Sequence, residues 1–489
     1  MIKTKTDLEP NITNPSPDYY CTWQTQLYAT SDGKPPEQRK AICERSMFER
    51  KKPYGWSYFY EQARSDLLFI MDDSWDMPLS NDEAYFGSLI LNKEKFPSFV
   101  KENDDGLKAL TDKMKSLGWK GLGGWVCAQE SRIYSEGLTP EQYWTERLIA
   151  AHKAGFSYWK VDWGGKGLDI EYRRMLTELA RIHAPELTVE HAIVKDVIPY
   201  SDTFRTYDVP ALMSIPMTFE KLACFGDTPE PIGQNSGILN CEDEAYIAAA
   251  GGYAMGIMRH PYSGAFPNGK ADMSFPCVHR DLKTKMYEVI RATRWHRIAP
   301  AFSGGSFLVS STVLEDNWKF ENVEEELEAW WLKDNSVGGF IKDGILTKSA
   351  PSALARNTVL PLITPDSEGN VPYCIASLDP NGVYSIATSG RTLERRYFIP
   401  KCDISADIGN ADTVGIFGEY ASLSLNSRLD IKSVLMQDLA SNTAFDVTKD
   451  VQLKDGKVII SGELISRIGT SEQPDGDTSE PGVIVKLIV

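Results

Sequence analysis

The chain lacks the short motifs that mark metal and redox proteins. Its eight cysteines are scattered without a CxxC pair, and its six histidines include neither HExxH nor a close pair. Zinc ribbons and thioredoxin-like proteins need paired cysteines, and zinc hydrolases need convergent histidines. The sequence therefore predicts no protein-built metal site and no cofactor. The scattered cysteines also argue against a dense disulfide framework.

Signals for nucleotides, nucleic acids and membrane spans are missing as well. No glycine-rich phosphate-binding motif follows the first candidate strand, which argues against nucleotide binding. The net charge of −16 argues against nucleic acid, because binding a phosphate backbone needs clustered Lys and Arg. No apolar run reaches ~18 residues, so no membrane-spanning helix is expected.

The first residues, MIKTKTD, carry no apolar core of a signal peptide. We expect a soluble protein, and the sequence leaves its compartment open: periplasmic or extracellular if a signal peptide has been removed, otherwise cytoplasmic. The sequence leaves the oligomeric state open.

The most informative segment that is present runs from Gly155 to Gly164, GFSYWKVDWG. Its apolar half predicts a buried strand that ends in Lys160 and Asp162. Because side chains alternate along a strand, these two point the same way, and a nearby cation keeps a carboxylate ionised. Such a carboxylate suits a nucleophile or a stabiliser of a sugar cation. A purely structural ion pair fits the segment equally well.

Short apolar runs alternate with helical patterns over most of the first 310 residues. Helical spacing is found over 105–117, 143–154 and 170–183. Eight strand-and-helix units favour a closed (β/α)8 barrel over an open sheet. The eight candidate strands are Tyr54–Phe59, Leu67–Met71, Leu122–Val126, Phe156–Asp162, Leu187–Glu190, Thr203–Tyr207, Ile238–Asn240 and Ile257–Met258.

The barrel is predicted to lie between two segments of different texture. Residues 1–18 are polar and rich in Pro and Asn, which predicts an extended lead-in, and the barrel takes 19–335. Residues 336–489 contain short β-like runs separated by turn residues, which is typical of an antiparallel β-sandwich. The predicted fold class is therefore α/β, a TIM barrel followed by a C-terminal sandwich domain.

Polar residues recur where the candidate barrel strands end, which is the active-site face of such barrels. Glycoside hydrolysis needs two carboxylates there, and Asp162 is the first candidate. Asp208 is the better placed second candidate, because it follows the sixth strand, whereas Asp202 precedes it. Glu190, at the end of the fifth strand, is a third possible acid or a substrate acceptor. The sequence leaves open which of the three is the acid/base.

An ordered set of motifs resembles glycoside hydrolase clan D, the α-galactosidases and α-N-acetylgalactosaminidases of families 27 and 36. The resemblance covers about residues 54–260, and the build is closer to family 27. The matching motifs are Asp72-Asp-Ser-Trp75, Lys95-Phe-Pro97, Gly106-Leu-Lys-Ala-Leu110 and Lys160-Val-Asp162.

The resemblance implies a retaining exo-glycosidase that removes a terminal α-galactose-like sugar from an oligosaccharide or glycoconjugate. Asp162 would be the nucleophile, and Arg205 and Asp208 match the Arg and the acid/base Asp of the sixth strand. In retaining enzymes the two carboxyl groups lie ~5–5.5 Å apart. The implied substrate-binding residues are Asp72, Asp73, Lys160 and Arg205, with Trp56 and Trp125 as apolar walls and Glu190 as a further hydrogen-bond acceptor.

The pair Trp163-Gly164 after the nucleophile departs from the family pattern, and we expect it to change the shape of the sugar-binding pocket. Three other sugars therefore stay open, namely a β-L-arabinopyranoside, an α-N-acetylgalactosaminide and an α-glucan. A non-catalytic carbohydrate-binding barrel is an alternative of another class.

Overall fold

The computed structural model describes residues 1–31, 33–101, 106–192, 195–206, 213–224, 244–270, 282–326, 341–454 and 456–489. Two kinds of architecture follow one another along the chain. A parallel sheet with helices comes first, and mixed and antiparallel β-sheets make up the second half.

Within the described ranges, seven strands form the parallel sheet, in the order β7–β6–β5–β4–β3–β2–β8, with every neighbouring pair parallel. Strand β1 (Ile2–Lys3) belongs to another sheet. The seven strands are β2 (Tyr19–Cys21), β3 (Leu68–Met71), β4 (Gly121–Val126), β5 (Tyr158–Val161), β6 (Thr188–His191), β7 (Thr203–Phe204) and β8 (Gly256–Ile257). The parallel sheet that the sequence predicts is confirmed.

The prediction for the first strand is wrong. The segment Tyr54–Phe59 contains a 3-10 helix, Trp56–Tyr58, instead of a strand, because Gly55 turns the chain at φ +85°. Its place in the sheet, between β3 and β8, is taken by β2. The predicted strand Ile238–Asn240 lies outside the described residues.

Helices follow the strands in the way that the sequence periodicity predicts. The helix predicted over 170–183 has those bounds, and the one predicted over 143–154 begins three residues earlier. The helices are α1 (Trp23–Ala29), α2 (Pro35–Ala41), α3 (Glu44–Phe48), α4 (Leu107–Ser116), α5 (Pro140–Ala154), α6 (Ile170–His183), α7 (Ser214–Ala223), α8 (Ala245–Gly251), α9 (Met286–Trp295), α10 (Val323–Glu326) and α11 (Gly462–Gly469). Within the described residues, none is long and apolar enough to cross a bilayer.

The parallel sheet is strongly curved. The ring centroids of Tyr19 on β2 and Tyr158 on β5 are 5.2 Å apart, although three strand spacings of ~4.8 Å separate β2 from β5 in a flat sheet. Curvature brings inward side chains from distant strands into one buried cluster, made of Tyr19, Cys21, Leu68, Ile70, Tyr158 and Met258. The concave side of the sheet is therefore a packed interior, and the residues after the strands lie at its end.

The second half of the chain contains two larger sheets that share an apolar core. The nine-stranded sheet has the order β1–β23–β22–β26–β20–β16–β15–β13–β9, and the five-stranded sheet has the order β14–β19–β21–β25–β24. Their strands are β9 (Phe307–Val309), β13 (Ala353–Arg356), β14 (Leu362–Thr364), β15 (Tyr373–Leu378), β16 (Tyr384–Ser389), β19 (Asp403–Gly409), β20 (Thr413–Phe417), β21 (Ser422–Ser427), β22 (Ser433–Asp438), β23 (Phe445–Asp446), β24 (Gln452–Lys454), β25 (Lys457–Ser461) and β26 (Gly482–Ile488).

The expectation of purely antiparallel pairing is wrong for these sheets. The pairs β13–β15, β16–β20 and β19–β21 are parallel, so both sheets are mixed. Short apolar runs and turns predict strands but do not determine which strands become neighbours. Two smaller sheets complete this half, made of β10 (Val313–Lys319), β11 (Ile341–Lys342) and β12 (Ile345–Pro351), and of β17 (Arg391–Leu393) and β18 (Arg396–Phe398).

The two halves of the chain are joined by buried contacts. Helices α8 and α9 pack against the nine-stranded sheet, with Trp295 beside Phe417. A bidentate ion pair, Arg291–Asp438, links α9 to β22 with both side chains wholly buried. The N-terminal strand Ile2–Lys3 also pairs with β23.

Helix α5, which leads into β5, begins with a capping box. The Thr139 hydroxyl accepts from the Gln142 N–H, and the Gln142 side chain accepts from the Thr139 N–H. Thr139→Ala removes one acceptor from the helix end, so we expect a loss of about 1 kcal/mol in the free energy of unfolding. Urea unfolding tests this, with Thr139→Ser as the control that keeps the hydroxyl. Equal stability of the two variants would contradict the prediction.

Candidate active site

Asp162 lies directly after β5 and is held through one of its two oxygens. Its Oδ2 accepts from Trp125 Nε1 at 3.0 Å and lies 3.2 Å from an Arg205 nitrogen. Its Oδ1 has no hydrogen-bond partner among the described residues. Burial raises the pKa of Asp162, but the charges of Arg205 and Lys160 and the hydrogen bonds from Trp125 and Arg205 together outweigh burial and hold the pKa below its usual range. The result is an ionised, fixed carboxylate with one unengaged oxygen.

Lys160 makes its ion pair with Asp72 rather than with Asp162. Its Nζ lies 2.6 Å from Asp72 Oδ2, and both side chains are almost fully buried. The Cys21 thiol donates to the same oxygen at 2.9 Å. Burial lowers the pKa of Lys160, but the charge of Asp72 and the smaller effects of Cys21 and Asp162 together outweigh burial, and the pKa is raised. The side chains of Cys21, Asp72 and Lys160 thus form a buried cluster, called the charged floor below. The sequence predicted Asp72 and Lys160 as site residues but not Cys21.

Arg205, directly after β7, connects two carboxylates. Its Nε lies 2.8 Å from Glu190 Oε1, and its terminal nitrogen reaches Asp162. The second oxygen of Glu190 accepts from the Tyr158 hydroxyl at 2.6 Å. Glu190 is wholly buried, and burial raises its pKa against the effect of Arg205. Glu190 therefore holds Arg205 in place from inside the sheet.

Asp73 forms an ion pair with a different cation from the one that pairs with its neighbour Asp72. It pairs with Arg39 Nε at 3.0 Å and accepts from Ser74 Oγ at 2.5 Å. Burial raises the pKa of Asp73, and the Arg39 charge opposes that only in part. The guanidinium of Arg39 also lies over the rings of Phe86 and Trp163, at 4.9 and 5.4 Å from their centroids.

Trp56 does not have the position that its expected role requires, whereas Asp202 lies before its strand as the sequence predicts. Trp56 was predicted as an apolar wall, but it is fully buried in the 3-10 helix and donates to the Pro53 carbonyl at 2.7 Å. Asp202 lies before β7, accepts from the Val189 N–H at 2.7 Å and pairs with Arg181 of α6. Asp208 lies outside the described residues.

The sequence analysis missed Trp23, which follows β2. This half-buried residue packs on the inner cluster of the sheet, which is the position that Trp56 was expected to have. An aromatic residue two positions after the strand Tyr19–Cys21 lies at the carboxyl end of the sheet. The sequence analysis did not recognise Trp23 as a site residue, because it assigned the first strand to residues 54–59.

A second missed group fixes the backbone beneath Asp162. The buried Arg173 of α6 donates to the carbonyls of Asp162 and Val161, at 2.5 and 3.2 Å. One of its nitrogens also lies 3.3 Å from His191 Nδ1, and His191 Nε2 lies 2.8 Å from the Thr177 hydroxyl. Because Arg173 can only donate, Nδ1 accepts and Nε2 carries the proton. Burial, followed by the Arg173 charge, holds the pKa of His191 well below its usual value.

This neutral histidine predicts a loss of stability in acid. Below about pH 6.5 the unfolded chain binds a proton that the folded His191 resists, so stability falls by up to ~1.4 kcal/mol per pH unit. In His191→Gln this contribution is absent, while the amide can keep both hydrogen bonds. We expect the stability of the wild type minus that of His191→Gln to shrink between pH 7 and pH 5 in urea titrations. A difference that is constant over this range contradicts the prediction.

Within the described ranges, no group of three or more His, Cys, Asp or Glu side chains is placed to hold a metal ion. The arrangement offers instead a fixed carboxylate, two cations whose charges act on it and several hydrogen-bonding groups at one end of a curved sheet. These are the elements of chemistry at a carbohydrate acetal.

No protein-family model matches the chain, and neither does any curated protein sequence. Several solved structures are similar to it over nearly their whole length. A family 27 β-L-arabinopyranosidase from Geobacillus stearothermophilus is 10% identical with a TM-score of 0.41, and 97% of this chain and 96% of that chain are covered. α-Galactosidase I from Mortierella vinacea is 10% identical with a TM-score of 0.42 and 98% coverage of both chains.

A putative α-N-acetylgalactosaminidase from Bacillus halodurans is 10% identical with a TM-score of 0.38, and 99% of each chain is covered. These names belong to the clan that the sequence motifs resemble. With TM-scores below 0.5, the assignment of a function rests on the geometry of the site.

Proposed function

We propose that the chain is a retaining, exo-acting glycoside hydrolase that removes a terminal α-galactose-like sugar by double displacement. The observation that carries this proposal is the state of Asp162. One oxygen is held by Trp125 and Arg205, the other has no partner among the described residues, and the pKa is lowered. A nucleophilic carboxylate must be ionised and positioned, with one oxygen that no protein group holds.

In this mechanism Asp162 Oδ1 attacks the anomeric carbon as the bond to the leaving oxygen breaks. A second carboxyl group gives its proton to that oxygen and later takes one from the attacking water. We propose Asp208 for this role. Glu190 and Asp202 are less suited, because each is engaged in a buried ion pair, with Arg205 and with Arg181 respectively.

The terminal sugar would be held by Asp72, Asp73 and Lys160, with Trp125 as one wall. The inner cluster of the sheet is packed directly below the charged floor, so a chain of sugars could not pass through. This closed end favours removal of a terminal unit. We further propose that the parallel sheet belongs to a (β/α)8 barrel, and that the C-terminal sheets form a β-sandwich.

The proposal is tested with a panel of nitrophenyl glycosides followed by NMR of the first-formed product. We expect turnover of the α-galactoside with retention of the anomeric configuration. Release of the opposite anomer would exclude the double displacement. Turnover of only a β-L-arabinopyranoside, an α-N-acetylgalactosaminide or an α-glucoside would revise the proposed sugar but not the proposed catalytic residues. Sugar binding without turnover would favour a carbohydrate-binding protein.

A further inference from the structure

Trp163 is an exposed aromatic side chain directly beside the candidate nucleophile. Its exposed fraction is 38%, whereas its neighbours Phe86 and Trp125 are 3% and 1% exposed. The proposed hydrolysis uses Asp162 and the floor beneath it, and Trp163 has no part in that chemistry. An indole left in water next to a reaction centre is surface that a ligand could cover.

The Trp163 ring is held rigidly despite its exposure. It packs edge-on against Phe86 at 4.9 Å between centroids and against Trp125 at 5.4 Å. Its backbone carbonyl accepts from the Ala128 N–H at 2.9 Å. Gly164 has φ +156°, and a Cβ there would lie 2.7 Å from the Ala128 nitrogen, so the next position requires glycine. A fixed aromatic face loses little conformational entropy when a ligand stacks on it.

The position of this ring relative to Asp162 follows from Trp125. Trp125 donates to Asp162 Oδ2 and contacts Trp163 through its ring. Trp163 therefore packs on the more exposed side of Trp125, and Trp125 in turn donates a hydrogen bond to Asp162. Because the inner side of the site is closed by the packed cluster, the part of a substrate beyond the terminal sugar must extend outward, on the side of the exposed indole.

We propose that Trp163, with Arg39 packed against it, is the platform of a leaving-group subsite that stacks a hexopyranose ring. The apolar face of a pyranose suits an indole, and Arg39 can donate to the hydroxyls of the same ring while its Nε binds Asp73. The proposal rests on the proposed function, since a leaving group exists only if the terminal sugar is cleaved.

The test compares two substrates that share the terminal sugar and differ in the leaving group. In α-D-galactosyl fluoride the leaving group has no ring, and in the disaccharide galactosyl-α-1,6-glucose it is a hexose. For Trp163→Ala we expect the ratio of kcat/KM for the disaccharide to that for the fluoride to fall about tenfold. Trp163→Phe keeps an aromatic face and should retain most of the ratio. Leu168→Ala, at a residue 77% exposed on the same loop, should leave both constants as they are.

The outcomes separate the two proposals. A wild type that hydrolyses neither substrate, nor any glycoside of the panel, overturns the proposed function and the subsite together. A wild type that is active on both, with an unchanged ratio in Trp163→Ala, overturns the subsite alone. The thermal midpoint of each variant shows whether a loss of activity reflects unfolding.

A second experiment measures the products that form from α-D-galactosyl fluoride at increasing concentrations of glucose. Glucose on the platform would take the galactosyl group from Asp162, so the ester bond to C1 breaks and a bond to a glucose oxygen forms. The hydroxyl proton passes to the acid/base carboxylate. We expect Trp163→Ala to give several-fold less disaccharide per galactose released. An equal yield would count against the subsite.

Discussion

Asp162→Asn should lower kcat/KM by about 10⁴-fold or more, which corresponds to roughly 5.5 kcal/mol of transition-state stabilisation. The amide keeps the shape of the side chain but is a poor nucleophile and carries no charge to stabilise a sugar cation. Hydrolysis of α-D-galactosyl fluoride measures the loss without requiring a proton for the leaving group. A loss of less than tenfold would assign the nucleophile to another residue.

The matched control is Asp112→Asn, which changes the same atoms on the exposed face of α4, where Asp112 pairs with Lys108. It should leave the rate unaltered. Asp162→Ala provides a further check, because added azide can enter the vacated space and attack C1 from the same face. The expected product is the glycosyl azide with the anomeric configuration inverted relative to the substrate.

Lys160→Met should cost about 3–5 kcal/mol in the free energy of unfolding and also remove activity. The substitution leaves Asp72 buried without its cation, and an unpaired buried charge is far more costly than a pair. The pair has a 2.6 Å contact between side chains that are 1% and 4% exposed. Urea unfolding monitored by tryptophan fluorescence measures the change in stability. Lys108→Met breaks an exposed pair with Asp112 and should cost less than about 0.5 kcal/mol.

Adding Asp72→Asn to Lys160→Met separates the structural role of the pair from its proposed role in binding. We expect the double variant to regain most of the lost stability, because neither partner then carries an unpaired charge. Activity should stay low, because both groups that would bind sugar hydroxyls are altered. Recovery of activity together with stability would show that the pair serves the fold alone.

Much of the parallel sheet could be predicted from local patterns. The strands that end at Met71, Val126 and Val161 follow apolar runs, and helix α6 has the predicted bounds. The first strand could not be located in this way, because Tyr19–Cys21 is only three residues long. Its place depends on its neighbours β3 and β8, which lie far away in the chain.

The partners of the charged residues were harder to predict than their positions. Lys160 was expected to act on Asp162 from two residues away, but its ion pair is with Asp72, 88 residues earlier. Arg205 provides the larger stabilising charge for Asp162. Several carboxylates and cations converge at the strand ends, and only the curvature of the sheet decides which of them come within hydrogen-bond distance.

The sequence by itself determined that Lys160 and Asp162 share one face of a strand and that carboxylates lie at the strand ends. Both follow from the period of two along a strand and the common direction of parallel strands. The tertiary structure decided that Trp125 and Arg205 hold one oxygen of Asp162, that Trp56 is core and that Trp163 is exposed. These properties depend on packing between residues remote in sequence, which local periodicity does not encode.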